Sequence, residues 1–218
     1  MKERVDPLSD AIFSIVMTLL VLRIHVPHID TDMVSNLALF EDLLHLIPDF
    51  GIYFFSFGVL GSYWISHNII LGVFAKNMDR VLVMINFGFL CIASLVPFSA
   101  ELISQNFSAR TGIIVYSLNI FLLTAFLATL RLYTLYSKNI ENPDIIKLQY
   151  TQADRLYANT RLLISLGSTV MAVICSFVFT PLSFVFLTIP VVYGLIPGLL
   201  SKTLKIFGVK ERSNLKVH

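Results

Sequence analysis

Residues 4–22 read RVDPLSDAIFSIVMTLLVL, and this stretch decides the fold. After a polar start carrying Arg4, Asp6, Ser9 and Asp10, its only polar groups are the hydroxyls of Ser14 and Thr18. A helix needs about 20 mostly apolar residues to cross hydrocarbon, and this run supplies them. Ionisable groups at such a boundary are costly to bury, which makes Ser9-Asp10 a candidate for a working role.

The rest of the chain repeats the apolar character. Its 218 residues are 56% hydrophobic and 14% charged, with a mean hydropathy of +0.78. Soluble domains carry about 25% charged residues, so the composition excludes a water-soluble fold and makes the lipid bilayer the solvent. Six runs near 9–26, 47–72, 81–100, 111–136, 162–180 and 182–201 are long enough to span. They lack strand alternation, so the fold class expected is an all-α membrane protein rather than a β-barrel. The last two runs form a tight hairpin about Thr180-Pro181.

With both termini in the cytoplasm, all the basic residues except Arg23 and Arg110 fall inside, 14 of the 16. That follows the positive-inside rule and requires an even number of spans. The net charge of +2 therefore reflects topology, and nucleic acid is not an expected partner. The first run is too long for a signal peptide, and RIHVPHIDTD after it offers no small-residue cleavage site, so it is expected to stay as a span. Residues 1–218 are expected to form one six-helix membrane domain. Cys91 and Cys175 sit in apolar runs without metal-ligand spacing and are expected to pack rather than pair. The external 27–46 loop is acidic, with Asp30, Asp32, Glu41 and Asp42. The internal 137–161 loop is amphipathic, with Tyr150, Leu156 and Tyr157, and either lies on the membrane surface or extends the neighbouring spans.

Within the first span, Asp6 is expected to cap the helix with Pro7 at its first position. Asp10 then stands near the positive end of the helix dipole, with Arg4 as a loose partner. At 100° per residue, Ile15, Leu19 and Leu22 form one narrow stripe bordered by Thr18. The stripe is compatible with a pore lined by several copies of this helix, but periodicity alone favours an ordinary packing face. The second span carries Ser62-Tyr63-Trp64-Ile65-Ser66-His67-Asn68 near its cytoplasmic end. Trp64 and His67 lie one turn apart. A Trp at this depth is often a belt residue, but a buried imidazole and amide need partners. The cytoplasmic placement puts His67 within reach of Asp10 or Ser9.

Arg4-Val5-Asp6-Pro7-Leu8-Ser9-Asp10 at the head of the first of six spans, with Trp64-Ile65-Ser66-His67-Asn68 late in the second, resembles the family of the endosomal and lysosomal potassium channel, transmembrane protein 175. Leu8 stands where that family usually has Phe, which keeps an apolar group and removes an aromatic contact. The chain resembles the prokaryotic members in length, which implies a multi-pass protein of a bacterial or archaeal plasma membrane. The resemblance implies a potassium-selective channel formed as a homotetramer whose four first helices surround the pore. It implies a hydrophobic constriction at Ile15, Leu19 and Leu22 and a selectivity role for the Thr18 hydroxyl. It implies a structural polar network of Arg4, Ser9, Asp10, Trp64, His67 and Asn68 that holds the pore helix. No cofactor, and no metal beyond the permeant potassium, is implied.

The Thr-Val-Gly-Tyr-Gly filter is absent, so selectivity would rest on an apolar constriction and a hydroxyl ring. The competing reading is a proton-coupled secondary transporter, or a proton-leaking cation channel, with Asp10 and His67 as relay groups. A transporter usually places its polar site at the midplane between matching repeats, and here the polar residues gather at one face. No His-x-x-x-His, Glu-x-x-His or Gly-x-Ser-x-Gly occurs, so an enzyme is not expected.

Overall fold

A computed structural model describes residues 2–24, 36–105, 109–143 and 152–196. Eight α-helices are found among them: α1 Lys2–Leu19, α2 Asn36–His45, α3 Ile47–Asn68, α4 Arg80–Ser94, α5 Val96–Gln105, α6 Arg110–Tyr136, α7 Gln152–Ser176 and α8 Thr180–Leu195. A 3₁₀ turn, Val21–Arg23, prolongs α1, and a π-helical turn, Ile69–Phe74, prolongs α3. Taken with these extensions, Lys2–Arg23, Ile47–Phe74, Arg80–Gln105, Arg110–Tyr136 and Arg155–Ser176 are long and apolar enough to cross a membrane; α8 is a shorter apolar helix. The protein is a multi-pass, all-helical membrane protein.

The bundle is built round α6, which packs against α3, α4, α5, α7 and α8. Close approach needs small residues, as is usual between helices in lipid. A Cβ on Gly112 would come within 3.1 Å of the Ile103 backbone, and one on Gly88 within 2.4 Å of the Phe126 ring. By contrast the main helix neighbours of α1 among the described residues are α3, α4 and α5, so it stands at the edge of the bundle.

Polar contacts mark the two ends. At one, the Lys76 amide donates to Glu141 O at 2.9 Å, the Glu141 amide to Asn77 Oδ1 at 2.7 Å, and Lys2 Nζ to Ala75 O. At the other, Arg23 pairs with Glu101 and Ser104 bonds Asp49. Asp79 caps α4, accepting from the Leu82 amide at 2.8 Å. Partial burial works against its charge, but hydrogen bonds from Tyr133, the Leu82 amide and Asn139 hold the carboxyl below the usual carboxylate range. Asp79→Ala is expected to cost about 1 kcal/mol, the usual worth of an N-cap, in thermal unfolding at neutral pH. Because the folded-state value is depressed, the difference should narrow as the pH falls through the carboxylate range.

Several expectations shift, among them the external loop expected at 27–46, where Asn36–His45 form α2, and the sixth span, where α8 is a shorter apolar helix. The first helix begins at Lys2 rather than near residue 9, and Pro7 lies inside it. Asp6 therefore does not cap it. Near a helix start a proline forfeits only one backbone bond, while packing of Val5 and Ser9 and the Lys2 contact extend the helix ahead of it. The third span, expected unbroken at 81–100, runs to Gln105 with a break at Leu95. Pro97 lacks the N–H that would reach Ala93, so the helix restarts at Val96. The helix of the fifth span, α7, starts at Gln152, so residues 152–161 of the internal loop extend a span. Arg4 does not meet Asp10, as described below. Cys91 is exposed and Cys175 buried, both free. Asp30, Asp32, Lys147, Tyr150, residues 197–201 and the basic tail lie outside the described residues.

Candidate functional site: the first helix and its anchor

The two faces of α1 differ sharply. Val5, Ser9, Phe13, Val16 and Leu20 are at most 6% exposed and pack inward. Ile15, Leu19 and Leu22 are 57%, 41% and 72% exposed, and Thr18 is exposed between them. The sequence stripe is thus the face that the subunit leaves uncovered. Thr18 Oγ1 donates to Ile15 O at 2.8 Å, and Ser14 Oγ to Asp10 O at 2.8 Å. With their hydrogens used by the backbone, both hydroxyls present oxygen lone pairs outward, as acceptors.

The buried face is held by a directional hydrogen-bond chain. Ser9 Oγ donates to Val5 O at 2.9 Å, so its oxygen is free to accept from Asn86 Nδ2 at 3.0 Å. Asn86 Oδ1 must then accept, and His67 Nε2 lies 2.7 Å away. This fixes the neutral imidazole as the Nε2–H tautomer, an assignment made from the network. The His67 ring stacks on Phe89, with centroids 5.2 Å apart and planes 7° apart, and touches Phe13 at 5.9 Å. The chain therefore ties α1 to α3 through α4. At the rim, Trp64 Nε1 donates to Asp10 Oδ1 at 2.8 Å, so this Trp has a defined partner besides its belt position.

The structure thus brings together Ser9, Asp10, Trp64 and His67. Asn68 is half-buried at the junction with the π-helical turn. Arg4 is exposed and forms no hydrogen bond or ion pair among the described residues. His67 reaches Ser9 only through Asn86, which the sequence reading missed. A signal existed: Asn86 is the one amide in the apolar run 81–100, and a buried amide demands partners. Deeper in the bundle, Tyr63, Thr124 and Ser165 join their hydroxyls between α3, α6 and α7.

Residues 4–97, which take in most of the first three spans, match the family described as the endosomal/lysosomal potassium channel TMEM175. A potassium channel of Streptomyces collinus is 32% identical over 119 residues, 53% of this chain and 55% of that protein. One of Chamaesiphon minutus is 32% identical over 102 residues, 47% of this chain and 49% of that protein. The chain thus spans about half the length of the curated relatives it matches. The crystal structure of a lysosomal potassium-selective channel TMEM175 homologue from Chamaesiphon minutus aligns over 88% of this chain and 95% of that one. The TM-score is 0.71 at 22% identity, which is a likeness of fold.

Proposed function

We propose that this chain is a member of the endosomal/lysosomal potassium channel TMEM175 family, whose model matches residues 4–97, and that it forms a homotetrameric, potassium-selective channel whose first helices surround the pore. One observation carries the proposal. The first helix packs through a single face and leaves an apolar stripe with a threonine oxygen uncovered. One such helix cannot enclose a pore, but several converging copies can, and rotational symmetry then turns each exposed residue into a ring.

In that arrangement Ile15, Leu19 and Leu22 form a constriction that closes by dewetting. Thr18 supplies four outward oxygens. Potassium holds its hydration shell less tightly than sodium, so a narrow, partly dehydrating bore favours it. Few oxygen ligands are on offer, so the preference is moderate. Ser9, Asp10, Trp64, His67 and Asn86 brace the helix from behind, out of contact with the ions; Arg4 and Asn68 flank this brace. The distribution of basic residues supports a cytoplasmic position for the braced end.

Native mass measurement in detergent is expected to show four copies. Reversal potentials of protein in liposomes under opposed potassium and sodium gradients are expected to follow potassium. A monomer that still conducts, or a reversal potential set by protons alone, would overturn the reading.

A further inference from the structure

The outer end of the first helix finishes in a cation, an unexpected group beside a potassium pathway. Val21–Arg23 tighten into a 3₁₀ turn, in which residues three apart eclipse. Arg23 consequently stands over buried Leu20, while Leu22 stays on the open face. Arg23 Nη1 donates to Glu101 Oε2 on α5. Glu101 is in turn held by Gln105 Nε2, 3.1 Å from Oε1. A cavity of about 20 Å³ separates this pair from Asp49 on α3, and the Asp49 carboxylate is taken by Ser104.

The Arg23 and Glu101 side chains keep 43% and 22% of their exposure. Pairs this wet add little stability. Their charge still acts on ions nearby, because a ring of like charge at a pore mouth raises or lowers the local cation concentration. We infer that Glu101 is a conductance-determining residue: it neutralises and turns aside an Arg23 ring that would otherwise repel potassium at the outer mouth. The inference rests on the tetrameric channel reading. The break at Leu95 makes it possible, because the helix restarted by Pro97 carries Glu101 beside α1.

The test is unitary potassium conductance in planar bilayers at about 0.1 M and about 1 M potassium chloride, where the Debye lengths are about 10 Å and 3 Å. Glu101→Gln leaves the guanidinium uncompensated and should lower conductance at the lower salt about twofold. Arg23→Gln leaves the carboxylate and should raise it by a similar factor. The double variant should conduct like the parent, Glu101→Asp should too, and all differences should fade at the higher salt. Single variants that shift conductance in the same direction, or not at all, or equally at both salts, would overturn the inference. Where Glu101→Gln does not assemble, Arg23→Gln must still exceed the double variant at low salt, and equality there overturns it. A parent protein that carries no potassium defeats the channel reading itself, whereas a conducting parent indifferent to both changes defeats only the role of Glu101.

Discussion

Asn86→Leu is expected to lower the unfolding temperature in detergent and the yield of assembled protein, while the potassium preference of whatever assembles stays unchanged. Leucine nearly keeps the volume, so the loss isolates the hydrogen bonds. His67 Nε2–H loses its acceptor and Ser9 loses its donor, inside a site where Ser9 and His67 are each 1% exposed and Asn86 is fully buried. Interhelical hydrogen bonds in membranes average only about 0.6 kcal/mol, since the separated helices find other partners. Stranding a buried group costs more, about 1–3 kcal/mol, and the Nε2–H of His67 is stranded here, while Ser9 keeps its bond to Val5 O. The larger figure should win because Phe89 stacks on the ring of His67 and Phe13 packs against both rings, in a site that leaves water no easy access. Thermal unfolding of the variant beside Asn86→Ala checks this. A leucine variant as stable as the parent would remove the brace from the account of the first helix.

Ile15→Ala is expected to raise potassium conductance about fivefold, the equivalent of removing roughly 1 kcal/mol from a dewetting barrier. Thr18→Ala should act differently, lowering the potassium-to-sodium ratio with little change in bore, because the outward oxygen goes and only a methyl-sized group is left. The two residues lie one turn apart and are joined by the Thr18 Oγ1 bond to Ile15 O. Their effects should therefore fall short of additive in the double variant. Single-channel recordings of the three variants measure both quantities. If all three conduct and select like the parent, the exposed face of α1 is a lipid or packing surface and the pore lies elsewhere.

The amino-acid sequence by itself determined the class of the molecule. Apolar runs near 20 residues, with charge confined to their ends, leave a helical membrane bundle as the stable solution. Local periodicity also separated Ile15, Leu19 and Leu22 from the opposite side of their helix, and the motifs at Ser9-Asp10 and Trp64–His67 marked where α1 and α3 meet. Three things were settled only by tertiary structure. Which face of α1 turns inward is not written in hydropathy, because core, lipid and neighbouring helices all accept Ile and Leu. The partner of His67 was hidden because Asn86 lies 19 residues away and Ser9 another 77 from Asn86; such pairing depends on how three helices stack. The Arg23–Glu101 contact, 78 residues apart, exists because Pro97 breaks the third span. A proline announces a break in sequence, but where the freed segment comes to rest is decided by the helices it packs against, here α3, α6 and α1.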